Sequence, residues 1–307
     1  MIKPKHLNQG DRVALLAPSS PVVGIKLDLS IESIRFLGLD PVPFPSCFMS
    51  SGYLAGTDQA RAKDLNDAFS DPSICGIFCL RGGYGATRIL PLLDYEAISK
   101  NPKFFAGYSD ITALHTVFNK LCGFITYHAP MPTHGYHNMD SFSLESLREA
   151  VFGASRQPGV MNPPGEIIKT VNPGIAEGFM TGGNLSVMAS VLGSPYDVDT
   201  KGKILFIEDT EEPVYRIDRN LTALSLAGKL KDAAGIILGT FSDIHPGNEG
   251  SDDSTALNRL IDQIIRPLGT PAISNFRSGH IYPQITFPMG MMAKLNATEG
   301  KAAFLGE

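Results

Sequence analysis

Short apolar runs rich in Val, Ile and Phe alternate along this chain with stretches of helical period. That alternation predicts a mainly parallel sheet covered by helices, an α/β fold. In the first half the expected strands are Val13–Ala17, Ile74–Leu80, Phe104–Tyr108 and Phe124–Tyr127. Between them, Ser30–Leu37 runs up to Gly38 and Asp58–Phe69 stops before Pro72, both with helical spacing and ordinary stop signals. From Arg156 to Gly174 four prolines and three glycines interrupt the pattern, which marks a linker or an irregular crossover. Beyond it, Asn184–Leu192 reads as a helix capped by Asn184 and stopped by Gly193. Ile204–Ile207 and Ala234–Leu238 read as strands, Asp218–Ala227 and Ser254–Ile265 as helices, and Ala293–Leu295 and Ala302–Leu305 as closing strands. At 307 residues the chain suits about two domains. The expected division is 1–155, a linker over 156–175, and 176–307.

Charge and composition then remove several classes of function. The 26 Lys and Arg against 31 Asp and Glu leave a net charge of −5, the wrong sign for a basic nucleic-acid binder. With 43% hydrophobic and 19% charged residues the chain can bury a sizeable core, so it is not a disordered protein. Cys47, Cys75, Cys79 and Cys122 form no C-x-x-C pair and are too few to staple a chain of this length; they read as reduced thiols. No apolar run approaches the roughly 18 residues of a membrane span. The polar opening and the short stretch Val13–Ala17 do not make a signal peptide, so the expected compartment is the cytoplasm.

Four segments carry residue types suited to chemistry. In Lys103–Thr112 an apolar strand runs into Gly107-Tyr108-Ser109-Asp110, followed by helical spacing at Ile111, Leu114, Val117, Phe118 and Leu121. A serine on such a turn faces out of the sheet, ahead of a helix whose amides favour the negative charge of acyl transfer; it also suits a plain N-cap. The G-x-S-x-G elbow itself is not matched. Leu80-Arg81-Gly82-Gly83-Tyr84-Gly85 follows an expected strand, and a turn so dense in glycine lets backbone amides approach a ligand. It fails as a dinucleotide fingerprint because Arg88 stands where the last glycine belongs, and it has no Walker lysine. Ile204–Ile207 leads into Glu208 and Asp209, carboxylates at the end of a strand, where α/β proteins bind ligands. The fourth segment is Phe276-Arg277-Ser278-Gly279-His280. Singly each segment has an ordinary structural role, but in chain order they supply a nucleophile, a carboxylate and a base.

LRGGYG at 80–85, GYSDIT at 107–112, GGNL at 182–185, IED at 207–209 and GH at 279–280 together resemble the LD-carboxypeptidases, serine peptidases that include the microcin-immunity peptidases as a branch. The resemblance runs from about Gly10 to the C-terminus. It implies an N-terminal α/β domain of Rossmann or flavodoxin-like, class I glutamine amidotransferase-like type, and a C-terminal β-rich α/β domain. It implies Ser109 as nucleophile, His280 as general base, Glu208 as its orienting acid, and the backbone amides of Gly83 and Asp110 as the oxyanion hole. Hydrolysis of the L,D bond to the terminal D-alanine of murein tetrapeptides, in peptidoglycan recycling, follows from the same resemblance. So do the absence of any cofactor or metal and a homodimeric state. A carboxypeptidase must hold a free carboxylate, for which Arg81 beside the glycine loop is the first choice, ahead of Arg88, Arg216 and Arg277. Tyr84 and Asn184 are further expected substrate contacts. The microcin branch is expected to stack a Trp on its nucleotide substrate, and this chain has no Trp, although Phe or Tyr can stack instead.

Two other classes compete. His128, His134 and His137 fall within ten residues, with His245 further on, as a metal-dependent hydrolase would need, yet their spacing matches no zinc motif. A non-catalytic two-domain binding protein would show the same alternation, but it calls for an export signal.

Overall fold

The computed structural model describes residues 1–153, 161–245 and 253–305. In chain order the elements are β1 (Arg12–Leu16), α1 (Lys26–Leu37), β2 (Asp40–Pro43), α2 (Asp58–Ser70), β3 (Gly76–Cys79), α3 (Ala86–Ile89), α4 (Tyr95–Lys100), β4 (Phe104–Gly107), α5 (Thr112–Val117), β5 (Thr126–His128) and α6 (Ser141–Phe152). They continue with β6 (Lys169–Asn172), β7 (Ile175–Asn184), α7 (Leu185–Ser190), β8 (Ile204–Thr210), α8 (Val214–Leu226), α9 (Lys229–Asp232), β9 (Gly235–Ser242), α10 (Asp253–Leu260), β10 (Ala272–Ser274), β11 (Phe287–Met289), β12 (Met292–Asn296) and β13 (Lys301–Leu305). The chain divides into two compact units, Met1–Ser155 with Ile285–Met289, and Arg156–Gln284 with Gly290–Glu307.

The first unit is built on a six-stranded sheet in the order β11-β5-β4-β3-β1-β2. Its strands are parallel except β11, which runs antiparallel to β5. The central strands β3 and β4 are buried along their whole length, as strands covered by helices on both faces must be, which is why they read as unbroken apolar runs. Local chemistry sets the helix ends. Thr57 accepts a hydrogen bond from the Ala60 amide to start α2, and Gly38 takes a left-handed conformation at φ +87° to close α1.

The second unit holds a seven-stranded sheet in the order β13-β12-β7-β8-β9-β10-β6. Strands β7 to β10 are mutually parallel, while β12, β13 and β6 pair antiparallel at the two sides. Helices α7 and α8 cover one face through Leu185, Met188, Leu221 and Leu224, which pack with Leu205 and Ile207 of β8.

The structure departs from the sequence expectation at several places. The ten-residue strand β7 was not expected, because Gly178, Gly182 and Gly183 weaken the strand signal, although its burial alternates over the first half. Within the span expected as a linker, residues 156–160 lie outside the described residues, whereas Lys169–Asn172 pair with β10. Proline on either side hid that strand. Helix α8 begins at Val214 rather than Asp218, with Pro213 as its N-cap, and the helix expected over Ser254–Ile265 passes from α10 into a π-helical turn at Ile261–Ile265. Among the described residues no helix is long and apolar enough to cross a membrane.

Candidate active site

The candidate site residues of the first unit lie at the C-terminal ends of β3 and β4. Strand β4 ends at Gly107, and after Tyr108 the chain turns at Ser109, whose φ of +66° lies in the left-handed region that non-glycine residues avoid. The turn continues as a 3₁₀ segment, Ser109–Ile111, into α5. Holding a serine in this conformation costs on the order of 1–3 kcal/mol, and such strain is kept at sites where side-chain direction matters. Gly107 permits the sharp approach, since a Cβ there would lie 3.0 Å from the side chain of Ile111.

The glycine loop lies directly against this serine. A Cβ on Gly82 would stand 2.7 Å from Ser109 Cβ and 2.8 Å from its Oγ, so only glycine fits there. Gly83 takes φ +91°, and a Cβ on it would run into Ser20. Ser20 staples the loop at two points. Its amide donates to the Gly82 carbonyl at 3.1 Å, and its hydroxyl accepts from the Tyr84 amide at 3.2 Å. Tyr84 is half exposed, its ring 5.8 Å from that of Tyr53, and Arg81 donates to the Pro21 carbonyl at 3.0 Å.

The other candidate arginines are committed elsewhere. Arg88 forks onto Asp58 through Nε and Nη2, Arg216 pairs with Glu212, and Arg277 reaches Glu166 and the Tyr282 carbonyl. Asn184 is likewise engaged within its own unit. Its oxygen accepts from the Val187 amide as the N-cap of α7, and its Nδ2 donates to Asp209 at 2.9 Å.

In the second unit Glu208 sits on β8 where the pairing with β9 shifts register between Ile207 and Asp209. A local bulge re-aims the side chains beside it. Glu208 is 0% exposed, and its Oε2 accepts from His280 Nδ1 at 2.8 Å, while its Oε1 has no hydrogen-bond partner among the described residues. An ionised carboxylate accepts only, so Nδ1 carries the proton of the neutral ring and Nε2 is the basic nitrogen. The imidazole is 19% exposed. Its burial disfavours the imidazolium, but the Glu208 carboxylate, through charge and hydrogen bond, and then Asp209 and Glu211 outweigh this and raise the pKa above the ordinary 6.5.

The loop that carries His280 is pinned at three points. The Phe276 amide donates to the Leu238 carbonyl at 3.2 Å, the Thr240 amide to the Ser278 carbonyl at 3.0 Å, and Gln284 Nε2 to the Gly279 carbonyl at 2.7 Å. Gly279 has φ +121°, and a Cβ there would meet Glu208 Oε2 at 2.9 Å. Gly279→Ala is therefore expected to destabilise the protein by about 1–3 kcal/mol, seen as an earlier urea transition by circular dichroism.

In the sequence Asp209 is a strand-end carboxylate within the IED motif, with no role of its own. It is buried, and it accepts from Asn184, from the amide and hydroxyl of Ser186, and from the Thr210 amide. Burial first, opposed by the Ser186 hydrogen bonds and aided by the charge of Glu208, pushes its pKa up to about 6. Its partners Asn184 and Ser186 come from a different strand and helix, which no spacing rule records.

Of the histidines of the metal alternative, His128 and His134 both adjoin Tyr108, the first with its ring edge-on at 5.7 Å. His128 stacks on Phe287 with ring centroids 5.1 Å apart, His134 approaches the Tyr108 hydroxyl at 3.4 Å, and His137 stands edge-on to Phe36. Among the described residues no group of three or more His, Cys, Asp or Glu side chains is arranged to hold a metal ion.

A serine in a strained turn within the first unit and, within the second, an imidazole whose tautomer a carboxylate fixes are group types that serine-type hydrolases use. Comparison with known proteins agrees. The family model for the LD-carboxypeptidase N-terminal domain matches residues 13–129, and that for the LD-carboxypeptidase C-terminal domain matches residues 177–295. The chain belongs to the LD-carboxypeptidase family. It is 39% identical to a probable murein peptide carboxypeptidase of Bacillus subtilis (strain 168), over 98% of this chain and 93% of that one. Among solved structures, it is similar to a muramoyltetrapeptide carboxypeptidase from Oxalobacter formigenes, with a TM-score of 0.79 and 27% identity over 95% of this chain and 97% of the other. An MccF-like protein from Bacillus anthracis str. Ames gives a TM-score of 0.88 and 25% identity, covering 100% of both chains.

Proposed function

We propose that this protein is a serine carboxypeptidase that hydrolyses the L,D-peptide bond to the C-terminal D-alanine of murein tetrapeptides. The observation that carries the reading is Ser109 at φ +66° against a loop that tolerates only glycine, since a helix cap needs neither. The names of the Bacillus subtilis and Oxalobacter formigenes relatives support the substrate. In the proposed reaction His280 Nε2 takes the Ser109 Oγ proton as Oγ bonds to the scissile carbonyl carbon. The amides of Gly83 and Asp110 donate to the resulting oxyanion. The C–N bond then breaks and the imidazolium returns the proton to the leaving amine of D-alanine. Water, deprotonated by the same imidazole, cleaves the ester and restores Ser109. No step calls for a metal or cofactor. Arg81 is the proposed partner of the substrate carboxylate, a reading supported by the commitment of Arg88 to Asp58. The same reading assigns the enzyme to the cytoplasm, which its four free cysteines suit, and to a homodimer, as the family resemblance implies.

The test is incubation of the purified protein with murein tetrapeptides ending in D-alanine or in L-alanine, followed by mass spectrometry. Loss of one alanine from the D form alone is expected, and loss from neither refutes the substrate. A peptidyl-nucleotide of the microcin type belongs in the same assay. The exposed Tyr53 and Tyr84 rings beside the glycine loop offer a stacking surface for a base, and the MccF-like likeness favours the comparison.

The raised pKa of His280 fixes the sign of the pH dependence. A base must be unprotonated to accept the serine proton, so activity is low below its pKa and rises through it. The alkaline-going limb of kcat/KM is expected above pH 6.5, and in Glu208→Gln, where the chief raising charge is gone and burial remains, that limb moves toward acid. A limb that stays in place on the residual activity of Glu208→Gln would assign it to another group.

A further inference from the structure

The side chain of Asp110, as distinct from its backbone amide, has a place in the first unit that the hydrolytic steps leave unexplained. Asp110 is 2% exposed. Its Oδ2 accepts from the Ser19 hydroxyl at 2.6 Å and from the Ala86 amide at 2.7 Å. Arg61 faces the same two chain segments and is 0% exposed. Its Nη1 donates to the carbonyls of Pro18 and Gly85, the second at 2.8 Å, and its Nη2 donates to Asp58.

The Gly85 carbonyl and the Ala86 amide belong to one peptide group, so that group is held by a cation at its oxygen and by a carboxylate at its nitrogen. The neighbouring residues Pro18 and Ser19 are held in the same way, by Arg61 and Asp110 respectively. A Cβ at Gly85 would stand 2.8 Å from Arg61 Nη1, so the loop must be glycine at that point for the guanidinium to reach. Ser20, next in the chain, carries the two staples to Gly82 and Tyr84.

We infer that Asp110 and Arg61 are positioning residues that clamp the Gly82–Gly85 loop in register with Ser109. Burying a carboxylate and a guanidinium gains less stability than an apolar filling of the same volume, and the return lies in a fixed backbone geometry. Asp110 directly follows the nucleophile in the chain, so the serine turn and the loop move as one body. Oxyanion donors act only when held within a fraction of an ångström, which is what such a clamp supplies.

The inference rests on the proposed role of Ser109, and its test uses a readout that needs no murein substrate. A fluorophosphonate phosphonylates an activated serine, its phosphorus–fluorine bond breaking as the Oγ–phosphorus bond forms, and the rate reports nucleophile and oxyanion hole together. Asp110→Ala is expected to slow labelling of Ser109 by roughly 100-fold, the scale of losing an oxyanion donor, and to lower kcat on the tetrapeptide equally with KM within about 3-fold. Asp110→Asn, which keeps an oxygen for both donors, is expected to stay within about 5-fold of wild type. Rates are taken per folded molecule, with circular dichroism for each variant. Should Asp110→Ala not fold, Ser19→Ala removes one corner of the clamp and is expected to slow labelling about 10-fold. Wild-type rates in the variant that folds overturn the inference, as does an equal loss in Asp110→Ala and Asp110→Asn. Labelling without alanine release in wild type rejects the murein reading and leaves the clamp measurable. No labelling of wild-type Ser109 overturns both.

Discussion

Ser109→Ala is expected to lower kcat on a D-alanine-terminated tetrapeptide on the order of 10⁴-fold or more, while the substrate still binds. The reasoning runs from the backbone. At φ +66° the residue is strained whether it is Ser or Ala, so the substitution removes one oxygen and leaves the turn, the glycine loop and α5 as they are. The substitution leaves Arg81 and Tyr84, the proposed substrate contacts, untouched, so KM or a directly measured Kd should change by no more than about 3-fold. Calorimetric titration with the tetrapeptide, beside a mass-spectrometric turnover assay, separates the two quantities. Turnover that persists at a tenth of the wild-type rate would remove Ser109 from the chemistry.

His280→Ala is expected to lower kcat by a similar order, about 10³–10⁴-fold, and also to destabilise the protein. The second effect follows from Glu208. Among the described residues its Oε1 has no partner and Oε2 accepts from His280 Nδ1, so the alanine variant removes the hydrogen bond that the structure gives this fully buried carboxylate. Breaking a buried pair in this way costs about 3–5 kcal/mol. His280→Asn separates the two consequences, because its amide nitrogen stands in the position of Nδ1 while nothing replaces Nε2. Asn should lose catalysis as Ala does, yet unfold at a urea concentration closer to wild type. Equal stability of all three proteins would mean that the pair contributes nothing to the fold.

In the sheet of the first unit β1, β3, β4 and β5 were legible because they are largely buried and appear as apolar runs, whereas β2, with two prolines and only partial burial, was not. Strands β6, β7 and β11 were not legible, for three different reasons. Prolines flank β6, three glycines thin out β7, and β11 is three residues long with Pro288 at its centre. Each is specified by what it pairs with rather than by its own composition. The site divides along the same line. Ser109, Glu208 and His280 stand in short motifs whose order resembles a known family, whereas the close contacts that require Gly82 and Gly279 appear only in the fold. The side chains of Asp110, Arg61 and Asp209 each bond to at least one segment more than twenty residues away, and no local pattern records those distances.

Strand β11 gives this chain an unusual modularity. It supplies the last ribbon of the first sheet, covering the edge of β5, yet it is encoded after nearly all of the second unit. A gene fragment cut after residue 155 therefore yields a piece with a bare, pairing-competent edge at β5, prone to self-association. Supplying 285–289 through a short tether, or as a separate peptide, is the route to an isolated N-terminal half. Evolution faces the same constraint, since neither half can be shuffled out as a single uninterrupted exon-like block.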